Sequence, residues 1–183
     1  QAQAVPLAKP QVASAAPTAE KGADREIVVV GRPLGETRSA LDACLARKCP
    51  PMDDMRATLA HADNQFVKGD IAGSRETLMK SIGRNRRFAK TYPIAVAGLF
   101  RANGRIAAHL GEGESYRMST LDGYGALKAG LPDSDPHVRS GSLELADMFA
   151  RLGQTDTALN RYRSVVKTAH QSGNTVVEGF ARF

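Results

Sequence analysis

Apolar positions recur along most of this chain at helical spacing. In the stretch from Leu145 to Val166, Leu145, Ala146 and Phe149 share one face, while Ala158, Tyr162, Val165 and Val166 share another. Those i, i+3 and i+4 intervals predict two amphipathic helices. Gly153 stands between them, where a residue in the left-handed region ends a helix cheaply, and Thr155 is placed to cap the second helix. Gly69 and Gly111 occupy similar turns, and the three glycines follow one another at intervals of 42 residues. The pattern predicts three helical hairpins, over about 53–87, 93–129 and 136–171.

The rest of the chain divides around these hairpins. Leu34, Thr37, Leu41, Cys44 and Leu45 predict an earlier helix that Pro50 and Pro51 stop, after which Asp53 is placed as a cap. Residues 1–24, rich in Ala, Pro, Gln and Lys, have no periodic apolar face and are expected to form a disordered linker. Residues 25–33 hold the run Ile27, Val28, Val29, Val30 closed by Gly31 and Pro33, which predicts an extended, strand-like segment. Residues 34–183 are left as one helical domain. At its far end Asn174 can cap a short helix carrying Val176, Val177, Phe180 and Phe183. That helix either folds back as a lid or opens a further pair in a longer protein.

Superposing the hairpins at 42 residues aligns small residues at Ala62, Gly104 and Ala146, and bulky ones at Ile82, Tyr124 and Val166. Other columns are looser: Leu78, Thr120 and Tyr162 form one, and Gln65, Ala107 and Phe149 another. Small residues let helices approach and large ones fill the remaining gap. Helical hairpins at a fixed period, each burying its face on its neighbour, predict an α-solenoid.

Composition agrees with helices. Aromatics are only 5% and Trp is absent, which disfavours a β-sandwich. The net charge of +6 and a pI near 9.6 suit an anionic partner of any class. Lys9, Glu20, Lys21 and Asp24 cancel within the linker, so the excess lies in the helical part. No apolar run approaches the roughly 20 residues that span a bilayer. The chain begins at Gln1, in QAQAVPLAKPQ, as after removal of a signal peptide.

Cys44 and Cys49 leave two readings open. On a continuous helix they stand too far apart to bond, whereas Pro50 disfavours helical geometry at Cys49 and lets the chain bend them together. A disulfide would fit an exported protein; otherwise both remain reduced, half-buried thiols. Neither spacing nor neighbours suit zinc.

No catalytic constellation is visible. His61, His109, His137 and His170 are scattered, and His61 falls on a face turned to a partner helix, as a core histidine would. Gly111-Glu112-Gly113-Glu114 lacks the third glycine and the Lys-Ser/Thr of a phosphate loop, and its acids would repel phosphate. Asp53-Asp54 and Asp133-Ser134-Asp135 are acids at helix starts. Ser140-Gly141-Ser142 has no paired base. No metal, cofactor or small-molecule substrate is expected, and no enzyme activity.

The third hairpin resembles a tetratricopeptide repeat. The Leu-Gly-x-x-Tyr of that family appears as Leu145-Ala146-x-x-Phe149, its turn glycine as Gly153, and its second-helix Ala, aromatic and small residue as Ala158, Tyr162 and Val165. The first hairpin keeps Ala62, Gly69-Asp70 and Leu78 but has Ser74 for the alanine; the middle one departs further, with Tyr116 and Gly123. The period of 42 exceeds the family's usual 34, as in its longer-helix members. The resemblance implies an all-α tetratricopeptide-like solenoid and a binding scaffold, with no catalytic residue to transfer. It also implies a concave groove lined by the first helix of each pair. Arg56, Asp63 and Phe66 would come from the first, Arg101, Arg105 and His109 from the second, and Asp147 and Arg151 from the third. Four arginines against two aspartates predict a cationic groove for an acidic peptide.

A second resemblance is shorter. Glu26-Ile27-Val28-Val29-Val30-Gly31 is similar to the TonB box of outer-membrane receptors, which pairs as a strand with the periplasmic domain of TonB. The plug and long barrel of such receptors do not follow it. Ile27 to Val30 would then be strand-pairing residues; the other reading is an ordinary lead-in packed on the first helix. Together these readings give an exported, periplasmic protein-interaction module whose partner is a protein or acidic peptide of the cell envelope, within a TonB-type transport system. The rival is an intracellular, basic helical protein associated with nucleic acid, carried by Arg84-Asn85-Arg86-Arg87-Phe88-Ala89-Lys90. A positive cluster at a helix end is also favourable through the helix dipole alone.

Overall fold

The computed structural model describes residues 32–171. They form seven α-helices and no strand: α1 (Leu34–Ala46), α2 (Pro51–Val67), α3 (Ile71–Asn85), α4 (Pro93–His109), α5 (Gly113–Gly130), α6 (Pro136–Arg151) and α7 (Thr155–Gln171). A single 3-10 turn, Arg86–Phe88, follows α3. The linker, Ile27 to Val30, Asn174 and the apolar set from Val176 to Phe183 lie outside the described residues.

Each helix packs on the next in the chain, and α2 also packs on α4 across α3. The result is a solenoid of three antiparallel hairpins, α2–α3, α4–α5 and α6–α7, with α1 laid on its first helix. Met55, Leu78, Leu99, Ile106 and Leu127 are fully enclosed where successive hairpins meet, and Leu145 and Met148 continue the core into the last. No helix among the described residues is long and apolar enough to cross a membrane.

The turning glycines behave alike. Gly69, Gly111 and Gly153 have φ of 84°, 71° and 73°. Each donates its N–H back to a carbonyl three residues earlier, at Phe66, Ala108 and Ala150. The residue after each glycine reaches five back, with Asp70, Glu112 and Gln154 donating to Gln65, Ala107 and Phe149 at 2.9, 2.9 and 2.8 Å. These paired bonds satisfy carbonyls that a helix end leaves orphaned.

Two cap assignments change. Pro51 is the first residue of α2 and Pro50 its N-cap, so Asp53 lies inside the first turn. Pro93 and Pro136 open α4 and α6 in the same way. Proline is tolerated there because the first helical N–H has no intrahelical acceptor. Thr155 is likewise the first residue of α7 rather than a residue before it. Asp70 and Asp135 cap through their side chains, accepting from the N–H of Gly73 and His137.

The departures in the hairpins have local solutions. Ser74, where the third repeat has Ala158, donates its hydroxyl to the Ala62 carbonyl at 2.7 Å and so is buried without an unmet donor. In the middle hairpin, a Cβ on Gly123 would stand 3.4 Å from that of Phe100, and one on Gly104 would stand 3.4 Å from that of Ser119. Helices α4 and α5 therefore approach closely. Tyr116, too large for the small-residue position, is left half-buried at their side.

Cys44 and Cys49 form a disulfide with Cα atoms 5.1 Å apart. His61 is buried, and its Nδ1 lies 3.2 Å from the Thr37 hydroxyl of α1. Burial, then the charge of Arg38, lowers its pKa, as for a core imidazole held neutral.

Candidate functional site: a groove between α4, α5 and α6

Close packing in the middle hairpin leaves an open hollow of about 250 Å³ beside it. Its floor is Ala97, Gly104 and Gly123, with Leu127 at one end, because short side chains there cannot fill the space between helices. Tyr116 and Thr120 of α5 form one wall. Arg101 and Arg105 of α4 face Glu144, Asp147 and Arg151 of α6 across the mouth. Four of the expected residues, Arg101, Arg105, Asp147 and Arg151, thus meet at one place.

Their charges are largely matched. Arg101 bonds Glu144, with N···O at 2.9 Å, and Arg105 Nη2 donates to Asp63 Oδ1 at 2.7 Å. Arg151 has no ion pair among the described residues. Three arginines therefore face Glu144, Asp147 and Asp63, where four arginines against two aspartates were expected to make a cationic groove. Asp63, Arg105 and Asp147 occupy one column of the repeat, so acid and base alternate along the solenoid. Glu144 carries no repeat signal in the sequence, because its column holds Ala60 and Ala102 in the other hairpins.

Two tyrosines stand close to this charge. The Tyr116 hydroxyl has its pKa raised by burial, with Arg151 opposing. Tyr162 of α7 donates its hydroxyl to Asp147 Oδ1. Burial first, then that bond and the Asp147 charge, push Tyr162 up to about 12. Asp147 is thereby held in place from behind the rim.

The remaining expected residues lie elsewhere. Phe66 and His109 pack edge to face with ring centroids 5.4 Å apart, bridging the ends of α2 and α4. Arg56 lies in a separate hollow between α1 and α2, with Arg32, Arg47 and Asp53. In the basic cluster after α3, Arg84 grips Asp54 through Nε and Nη2, both at 2.8 Å, and Arg87 lies 4.9 Å from the Phe88 ring centroid. Glu112 pairs with Arg75 and Glu114 with Arg117, so the acids of the Gly111–Glu114 turn serve neighbouring arginines. Among the described residues no group of His, Cys, Asp and Glu could hold a metal.

No protein-family model and no curated protein matches the sequence. Among solved structures, BtubC (BKLC) from P. vanneervenii is similar, with a TM-score of 0.62 at 14% identity over 77% of this chain. The match covers 57% of that protein, so the present chain spans little more than half its length. At that identity the likeness is one of fold.

Proposed function

We propose that this chain is a non-enzymatic, tetratricopeptide-like interaction module that holds an extended peptide segment in the groove between α4, α5 and α6. The observation that carries this reading is the rim itself. Arg151 stands without an acid partner beside a floor of small residues, while Arg101 and Arg105 are fixed by Glu144 and Asp63. A guanidinium in that position suits a carboxylate, with room on the floor for a peptide backbone. Matched charges around it favour a segment of mixed polarity with one carboxylate over a uniformly acidic one.

The cell envelope is the proposed location. Support comes from the Cys44–Cys49 disulfide, since such bonds persist in oxidising compartments. Strand pairing by Ile27 to Val30 with a TonB-type partner remains part of the proposal; loss of binding on Val29→Pro would support it and unchanged binding would refute it. Weighing against the nucleic-acid reading, Arg84, Arg101 and Arg105 are each engaged by carboxylates, whereas that reading needs their charge free in one basic stripe.

The groove is tested with a fluorescent, C-terminally amidated peptide bearing a single Asp as its one carboxylate, and with its Asn twin. Anisotropy should show binding of the first only. Arg151→Glu should weaken it at least tenfold, while Arg163→Glu on exposed α7 surface should not. Equal binding of both peptides, or indifference to Arg151→Glu, would overturn the reading.

A further inference from the structure

A second cavity, of about 140 Å³, lies between α5, α6 and α7 and shares no lining residue with the groove. Arg139 of α6 lines it and is only 8% exposed. Its Nη1 donates to the Ser134 carbonyl at 2.6 Å, yet its Nε is buried with no hydrogen-bond partner. No carboxylate pairs with this guanidinium among the described residues. A buried cation without a counter-charge is costly, because arginine stays protonated and retains unmet donors.

The surroundings supply what an oxyanion needs. Ser142 and Ser164 line the cavity from α6 and α7, and neither hydroxyl has a hydrogen-bond partner among the described residues. Tyr124 and Thr168 complete the polar wall, the Thr168 hydroxyl already donating to the Ser164 carbonyl. One acid, Asp133, also borders the site. It is paired with Lys128 and its side chain is 77% exposed, so its charge is met by an ammonium and by water. The cavity has roughly ten times the room that one water requires.

We propose that this cavity is a carboxylate-binding site, with the Arg139 guanidinium as the anchoring cation and Ser142 and Ser164 as flanking donors. The Arg139 Nη2, which no acceptor engages among the described residues, is the donor a carboxylate can meet, and 140 Å³ accommodates the group with a short carbon chain. The site is independent of the peptide groove: it uses a different face of α6 and retains its ligand if the groove reading fails.

The test follows the Arg139 Nε–H resonance by proton-nitrogen NMR on the full chain, titrated with sodium acetate against sodium chloride at equal ionic strength. Acetate should move that resonance saturably and leave those of Arg151 and exposed Arg163 unchanged. The double variant Ser142→Ala, Ser164→Ala should weaken acetate binding about tenfold, the usual scale for losing hydrogen bonds to a charged group. Arg139→Gln should abolish it, and the wild-type titration decides the matter even if that variant fails to fold. An equal response to chloride, or uniform movement of all arginine resonances, would overturn the site. Saturation by inorganic phosphate but not by acetate would overturn its assignment to carboxylates.

Discussion

Cys44 and Cys49 are joined across the end of α1 at the same two positions that Gln65 and Asp70 hold across the end of α2. In both turns the later residue donates its N–H to the carbonyl of the earlier one, at 3.0 Å in α1 and 2.9 Å in α2. Between Gln65 and Asp70 the side chains are joined by a hydrogen bond at 2.9 Å; between the cysteines the link is covalent. The difference matters because Lys48, not glycine, takes the left-handed place here, with φ 51°. A non-glycine residue there costs about 1–2 kcal/mol.

Opening the disulfide should remove the covalent tie that holds this left-handed turn closed. Chain entropy alone gives about 2 kcal/mol for a loop of this size. Urea unfolding of Cys44→Ser, Cys49→Ser should show that loss, with α1 the first helix to exchange its amides. Lys48→Gly should return about 1 kcal/mol in the serine background. If Lys48→Gly leaves the urea midpoint unchanged or lowers it, the backbone strain assigned to Lys48 is absent.

Asp54 should govern stability in acid. It is 6% exposed and accepts hydrogen bonds from Arg84, Asn85 and Thr58. Burial alone would raise its pKa, but those bonds and the Arg84 charge outweigh burial and hold it below the ordinary carboxylate value. A folded pKa below the unfolded one, about 3.9, means stability that is complete above pH 4 and drains away below it. Urea midpoints measured from pH 6 to 2.5 should fall more steeply for wild type than for Asp54→Asn. At neutral pH, Asp54→Ala should cost about 3 kcal/mol, since it strands buried donors. Parallel acid profiles for wild type and Asp54→Asn would refute this role.

That ion pair also marks where the sequence stops being readable. Gly69, Gly111 and Gly153 could be identified in advance because each turn demands φ > 0, and the hairpins followed from their spacing. Pro50-Pro51 read as a stop, although the second proline opens α2, since a proline before a helix and one after it share a local signal. Asp54 and Arg84 each had a sufficient local explanation as helix-end charges, and only the antiparallel packing of α2 and α3 brings them together. Arg101 and Arg105 were placed in the groove by the repeat, but their neutralisation depended on Glu144 and Asp63 in adjacent hairpins. Arg139 carried no sequence signal, because a single arginine in the first turns of a helix is ordinary until its burial is known.

Two glycine-to-alanine changes should have opposite signs. Gly111 sits at φ 71°, so although nothing obstructs a Cβ there, Ala must adopt a left-handed backbone. Gly111→Ala should destabilise by about 1–2 kcal/mol. Gly125 lies exposed within α5, without a left-handed φ and with open space for a Cβ. Gly125→Ala should stabilise by up to about 1 kcal/mol through helix propensity. Thermal midpoints of the two variants against wild type check both signs; matching signs would mean that the turn and the helix interior make the same backbone demand.

Tyr162 should stay protonated well above the pH at which a free tyrosine ionises. Burial disfavours the phenolate, and Asp147 both accepts the hydroxyl proton and repels the charge that would form. Its folded pKa, about 12, lies above the unfolded value near 10. The contribution to stability is therefore complete below pH 10 and lost as pH rises toward 12. At pH 10.5, ultraviolet difference spectra of wild type and Tyr162→Phe should show the same phenolate absorbance, because Tyr162 remains protonated. Asp147→Asn should lower its pKa, so that Tyr162 contributes phenolate at pH 10.5. It should also loosen the rim of the groove, where Asp147 of α6 faces Arg105 of α4. A full phenolate signal from Tyr162 in the wild-type protein at pH 10.5 would show that Asp147 does not hold that hydroxyl.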